Sequence, residues 1–251
     1  MFKESEEMKA NPQKGHVSDP VFRGHANAEW KLETTLEREL GKYISLKQYY
    51  DRNFYPSLRT LKGILNIDLP DKPRLPTKIW ELQEKVPLAD EMAKLRHHGF
   101  PSPLLDWTHS PYVAAFFAFN PIPTKTVKRI AIYAYREYLG EGKGYDGDKP
   151  YIRSLGFWSP VHELHIRQQS IYTLCVRKSK QGFIFFPHEE ADIERPFSSL
   201  RFDDIVKITI PISQRKVAID DLRRMNITEM SLFNTIDAAV RTVARFSIEM
   251  P

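Results

Sequence analysis

Residues 95–119, LRHHGFPSPLLDWTHSPYVAAFFAF, constrain the fold more than any other stretch of the chain. They predict a helix end, a proline-broken loop, a short strand, a polar corner and a second helix. Upstream, Leu88, Met92 and Leu95 recur at steps of four and three, the spacing of one helical face. Gly99 supplies a stop, with Pro101 and Pro103 just beyond it. Leu104 and Leu105 offer a short apolar strand that ends in Asp106, Trp107, Thr108, His109 and Ser110. Ser110-Pro111 reads as a helix start, because the hydroxyl caps free N–H groups and proline suits the first turn. Val113, Ala114, Phe116, Phe117 and Phe119 make the following helix apolar nearly all round, which predicts burial. Several polar side chains are thereby set at the junction of a core strand and a core helix, although capping alone accounts for Ser110.

The 251 residues suffice for one substantial core, and 41% apolar with 27% charged side chains is the balance of a soluble globular protein. No apolar run reaches bilayer length, and the N-terminus (MFKESEEMKA) has no apolar signal core, so no membrane association is expected. The single cysteine, Cys175, forms no internal disulfide and fits a cytoplasmic location; within IYTLCV it reads as a buried small hydrophobe. An excess of 37 basic over 32 acidic side chains gives +5, a mild positive balance that permits nucleic acid as a partner. One cysteine and no His-Glu-x-x-His pattern argue against zinc, and no metal is expected. There is no Gly-x-Gly-x-x-Gly or phosphate-loop signature, so any nucleotide is bound by another scheme.

Residues 1–20 are polar and aperiodic and read as a flexible N-terminal segment, with residues 21–251 as one domain. Val21-Phe22-Arg23-Gly24 is a short strand. Thr34 and Glu37 have the spacing of a capping box for a helix through Leu40. A helical run over 43–65 is expected to break or kink at Pro56. Residues 66–78 form a proline-rich loop, followed by a helical turn at 79–84 and a helix over 87–98. Beyond Phe119 the pattern is mostly strand: RIAIYAYREY, SIYTLCV, QGFIFFP and DIVKITIPI, with Lys178–Gln181 a hairpin turn. The glycine-rich stretch 139–150 reads either as a solvated crossover or as a substrate-facing loop. Two final helices are expected, 220–225 and 228–246, the latter with one apolar face of Leu232, Ile236, Ala239/Val240 and Val243. The fold class is α+β, with helices mainly in the N-terminal half and at the C-terminus.

These residues resemble a known family. Phe22-Arg23-Gly24, Trp30-Lys31-Leu32 and Arg38 are similar to the opening of the FRG domain, named for that tripeptide. Leu95-Arg96-His97-His98-Gly99-Phe100-Pro101, Leu104-Leu105-Asp106-Trp107-Thr108, Ser110-Pro111 and Ala115-Phe116-Phe117-Ala118 resemble its second block. Gln168-Gln169-Ser170-Ile171-Tyr172-Thr173 is similar to a third block, with Ser170 in place of a glycine, and Leu232-Phe233 to the closing helix. The resemblance spans about residues 20–246. A weaker one points to ADP-ribosyltransferases of the Arg-Ser-Glu kind. Phe22-Arg23-Gly24 is similar to their first motif and Asp106–Ser110 with Val113–Ala118 to their second; their third, a glutamate opening a late strand, would fall within 163–169.

That second resemblance implies a split β-sheet core and an NAD-dependent ADP-ribosyltransferase, acting as a bacterial toxin or anti-phage effector on a nucleic acid or protein acceptor. It implies NAD as substrate and an antitoxin or other neutralising protein as a partner. Arg23 would fix the diphosphate, since its planar fork matches phosphate oxygens in two contacts. Gly24 would let backbone approach the nicotinamide; Thr108 and Ser110 would orient Arg23 or touch the ribose. Trp107 would form an aromatic wall and His97 would bind ribose or phosphate. Glu163 or Gln168, with Gln169 as a further option, would hold ribose hydroxyls. Asp106 is read either as a site residue or as a structural partner of Arg23 or Arg38, and Trp107 equally as core. The alternative is a non-catalytic FRG module that recognises nucleic acid or a partner protein.

Overall fold

The computed structural model describes residues 17–41, 43–65, 70–139, 150–156, 163–180, 182–191 and 203–249. The glycine-rich stretch therefore lies largely outside the described residues, as do residues 1–16. Val17 is bridged to Tyr138, and Ser18 N–H donates to the Glu137 carbonyl at 2.8 Å, so the end of the expected flexible segment is docked.

Strand β1 (Val21–His25) is followed by helix α1 (Thr35–Leu40). The capping box is formed: Glu37 N–H donates to Thr34 Oγ1 at 3.2 Å, and Thr34 N–H donates to Glu37 Oε2 at 2.6 Å. Helix α2 is composite, with a Leu46–Gln48 turn, a π-helical segment Tyr49–Phe54 and a regular stretch Tyr55–Leu65. The predicted break at Pro56 is instead absorbed by widening the preceding turns, where Tyr55 N–H reaches back to the Tyr50 carbonyl. Next come α3 (Ile79–Glu84), α4 (Ala89–His97), β2 (Leu104–Thr108) and α5 (Pro111–Phe119). Ser110 caps α5 by accepting from Val113 N–H at 3.3 Å.

The second half contributes β3 (Arg129–Arg136), β4 (Tyr151–Leu155), α6 (Glu163–Gln168), β5 (Ser170–Ser179), β6 (Gly182–Phe185) and β7 (Asp204–Pro211). It closes with α7 (Arg215–Arg224), α8 (Glu229–Phe233) and α9 (Ile236–Glu249). Two readings of the sequence are corrected here. The segment 163–168 is a helix rather than the head of a strand, and Gln169, at φ 49°, turns the chain so that β5 opens on Ser170. The single helix over 228–246 is two helices, broken where Asn234 takes a left-handed conformation (φ 48°). After that break the apolar face points outward: Ile236, Val240 and Val243 are exposed, while Ala238 and Thr242 are buried.

All strand pairs are antiparallel, in the order β4-β5-β2-β1-β3-β7, with β6 beside β5. The class is α+β, as the sequence pattern predicts. One core packs α2 and α4 residues (Tyr49, Phe54, Leu58, Met92, Leu95) against Leu104, Tyr172, Leu174 and Phe185. A second gathers Leu105, Trp107, Tyr133, Tyr135 and Cys175, so the cysteine is a buried hydrophobe as expected. On α5, Val113 and Phe116 pack with Leu222 and Leu232, while Ala118 and Phe119 meet Ile130. Helix α5 lies so close to β1 that a Cβ on Gly24 would come 1.9 Å from the Ala114 carbonyl oxygen. The glycine is thus required for helix–strand contact.

Candidate active site

The sheet is weakest where β1 meets β2. β1 pairs with β3 over five residues, but with β2 only at Phe22↔Thr108. Past that point Arg23 takes over the bridging: its Nη1 donates to the Asp106 backbone carbonyl at 2.8 Å and to Asp106 Oδ1 at 2.6 Å. Around this opening lies a cavity of about 320 Å³. Arg23, Arg96, Asp106 and Thr108 border it, with His97 and Tyr172 on one side and Gln168 on another. That volume is at the lower end of what small-molecule sites use.

Asp106 is held from two sides. Arg96, in the last turn of α4, donates from Nη2 to the same Oδ1 and from Nη1 to Thr35 Oγ1 at 3.1 Å. Both guanidiniums are mostly covered, with side chains 13% and 11% exposed, whereas the Asp106 side chain is 47% exposed because the cavity opens over it. The surroundings of Asp106 act to raise its pKa, but Arg23 and Arg96 outweigh them and hold the carboxyl well below the usual carboxylate range. Two cations and one anion leave the cluster at +1. On its other side Arg23 Nε–H donates to His25 Nε2 at 3.1 Å. Arginine can only donate, so His25 must accept there and carry its proton on Nδ1.

A second cluster forms the neighbouring wall. His97 Nε2 and His165 Nε2 are 2.5 Å apart, and Tyr172 Oη lies 2.8 Å from the first and 3.0 Å from the second. The two ring centroids are 4.7 Å apart, so the nitrogens meet roughly head-on, which suits a proton held between them. Burial, reinforced by the Asp106 charge, pushes the Tyr172 phenol up, and it stays a neutral hydroxyl at pH 7. Asp106 and Tyr172 are direct partners in the β2–β5 register, which sets the two clusters side by side. No group of three or more His, Cys, Asp or Glu side chains among the described residues is placed to hold a metal ion.

Of the site residues read from the sequence, Arg23, Gly24, His97, Asp106, Trp107, Thr108 and Gln168 border the cavity. Several of them also hold the fold together. Trp107 is only 3% exposed; its indole donates to Thr173 Oγ1 at 2.8 Å and packs on Tyr135, so it belongs to the core while also lining the cavity. Thr108 donates to the Gln168 carbonyl at 2.7 Å and accepts from Ser110 N–H at 3.1 Å, which ties β2 to α6 and α5. Neither Thr108 nor Ser110 bonds Arg23, and Ser110 serves as a cap outside the cavity. Gln168 is buried, with its amide donating to the Leu232 carbonyl at 3.2 Å. Glu163 is on the outer surface, paired with Arg167 Nη2 at 2.5 Å, and does not border the cavity; Gln169 is exposed.

Arg96, His165, Tyr172 and His25 escaped the sequence reading. Arg96 had a signal: it stands four residues after the inward-facing Met92, on the same helical face. His165 had none, and the Gln168–Thr173 block contains Tyr172 without giving it a role; the pairing of β2 with β5 sets Tyr172 beside Asp106, near His97 and His165.

The arrangement defines an α+β protein whose sheet parts around a buried arginine–aspartate–arginine cluster beside an imidazole pair. Residues 18–126, which carry β1, α4, β2 and α5, match the family model of the FRG domain. No match was found among curated proteins or among solved structures. No described helix is long and apolar enough to cross a membrane.

Proposed function

We propose that the protein is an NAD-dependent ADP-ribosyltransferase of the toxin or anti-phage effector kind. The observation that supports this most is the convergence of Arg23, Thr108 and Gln168 on one cavity, although 145 positions separate the first from the last. The parting of β1 from β2 beside Arg23 supports a split-sheet core of the ADP-ribosyltransferase type. The +1 cluster attracts phosphate-bearing substrates, and a 320 Å³ hollow accepts the nicotinamide–ribose half of the dinucleotide. In the reaction the bond from ribose C1′ to the pyridinium nitrogen breaks, nicotinamide leaves with the electron pair, and the acceptor's oxygen or nitrogen bonds to C1′. Its proton passes to water. The chain's net charge of +5 is compatible with a nucleic acid acceptor as well as with a protein one.

Incubating the protein with NAD labelled in the adenylate portion, with cell extract, tests the proposal. Label transfer and nicotinamide release are expected. Arg23→Ala should lower both by about two to three powers of ten. Absence of both from the wild-type protein refutes it. Because Arg23 braces Asp106 and His25, this variant is also expected to lose stability, and its melting temperature must be read alongside.

One observation favours the non-catalytic alternative: Glu163 faces solvent, so the carboxylate implied for the third motif does not reach the cavity. Binding of nucleic acid that weakens steeply with salt, without nicotinamide release, selects that alternative.

A further inference from the structure

The carboxylate missing from α6 has a counterpart on β2. Asp106 Oδ1 accepts from both guanidiniums, while Oδ2 receives no hydrogen bond from the described residues and sits on a side chain that is 47% exposed to the cavity. The two arginines, 13% and 11% exposed, stand behind it. What the floor of the cavity offers first is therefore an oriented acceptor oxygen, backed by a net positive cluster. An anion alone finds most of the arginine donors already engaged: Arg23 commits Nε and Nη1 internally and keeps only Nη2, and Arg96 commits Nη1 and Nη2. A ligand with hydroxyl donors next to a phosphate satisfies both features, because its hydroxyl meets Oδ2 while its charge is drawn by the surplus cation.

We propose that Asp106 Oδ2 accepts a hydrogen bond from the ribose hydroxyls of a nucleotide substrate, with Arg23 and Arg96 as the residues that position it. The assignment rests on the NAD reading for the identity of the nucleotide. It makes the cavity selective for ribo- over deoxyribonucleotides. Held in the ionised form by its two partners, Asp106 acts as a fixed acceptor and is a poor proton-abstracting base.

The test compares nicotinamide mononucleotide with its 2′-deoxy and 3′-deoxy forms, by calorimetric titration of the full chain at pH 7. A hydrogen bond to a charged acceptor is worth about 10- to 100-fold in affinity. The wild-type protein should bind the ribonucleotide that much more tightly than at least one deoxy form, and Asp106→Asn should lose most of the preference. Arg96→Lys keeps the charge but alters the fork; it should lower the ribo-to-deoxy ratio, an effect that loss of a merely structural contact would not produce. Equal affinities for all three nucleotides, binding of none of them, or a preference retained in Asp106→Asn overturns the proposal. The wild-type comparison stands even where Asp106→Asn fails to fold. The two readings fail separately. Selective ribonucleotide binding without nicotinamide release from NAD sinks the enzyme and keeps the Asp106 assignment. Equal nicotinamide release from NAD and both of its nicotinamide-ribose deoxy forms does the reverse.

Discussion

Two buried histidines make the fold acid-sensitive in a calculable way. In the second core, Trp107 Nε1–H donates to Thr173 Oγ1 at 2.8 Å, and the same hydroxyl lies 2.8 Å from His188 Nε2. Tryptophan can only donate, so the Thr173 proton points to His188, whose Nε2 must accept. His188 and His25 are thus both neutral, with the proton on Nδ1, and neither Nδ1 has a close hydrogen-bond partner among the described residues. Burial, followed by repulsion from Arg23, lowers each to about 3. A folded-state value below the unfolded one means the unfolded chain binds more protons. Stability is then complete above about pH 6.5 and falls as the pH drops towards 3. Between pH 6.5 and 5.0 each histidine should contribute a loss of roughly 1–2 kcal/mol, or roughly 3 kcal/mol for the pair. Urea unfolding at the two pH values, at constant ionic strength, measures this. His188→Gln, which is neutral throughout, should remove about half of the difference. A wild-type loss below about 1 kcal/mol, or an unchanged loss in His188→Gln, would refute the tautomer argument.

Two further substitutions probe what frames the cavity. Gly24→Ala places a methyl group 1.9 Å from the Ala114 carbonyl oxygen, and the backbone must shift; a loss of about 3 kcal/mol or more is expected in denaturant titration, since overpacking costs about 1–3 kcal/mol even where side chains can yield. Glu229, 7% exposed at its side chain, accepts from Asn120 at 2.9 Å and pairs with Arg241 and with Arg245 at 3.2 Å, which joins α8 and α9 to the end of α5. Glu229→Ala should cost about 1–3 kcal/mol in the same titration, more than Arg241→Ala, whose side chain is 55% exposed.

Where local chemistry decides the outcome, the sequence was legible. The Thr34 capping box, the Ser110 cap, the alternation in Arg129–Arg136 and the burial of Cys175 all depend on a few neighbouring residues, and all appear as predicted. Errors arise where the local pattern is ambiguous or tertiary packing overrides it. The weaker resemblance sets residues 163–169 at the opening of a late strand, yet 163–168 form a helix and Ile166 is exposed. In α9 the Ile236–Val240–Val243 stripe is a sound helical face, but the left-handed turn at Asn234 rotates the helix so that Ala238 and Thr242 face inward. Small residues there allow close approach, which no hydrophobicity scale ranks above isoleucine.

The site was half legible for a related reason. Arg23, Asp106 and His97 are marked by their places at strand and helix ends, and a reader of the sequence can gather them without knowing the fold. Their roles depend on pairings across long separations. Arg23 is 83 positions from Asp106, and His97 is 75 from Tyr172. Those pairings exist because β1 stops pairing with β2 after Phe22↔Thr108 while β2 goes on pairing with β5 from Leu104 to Thr108. Had the β1–β2 ladder continued, the Asp106 carbonyl would have taken a strand hydrogen bond in place of Arg23 Nη1, and the guanidinium would have had no reason to lie between the strands. The opening in the sheet and the arginine that bridges it are one structural event. A change that closes the first must displace the second, and with it the carboxylate that faces the cavity.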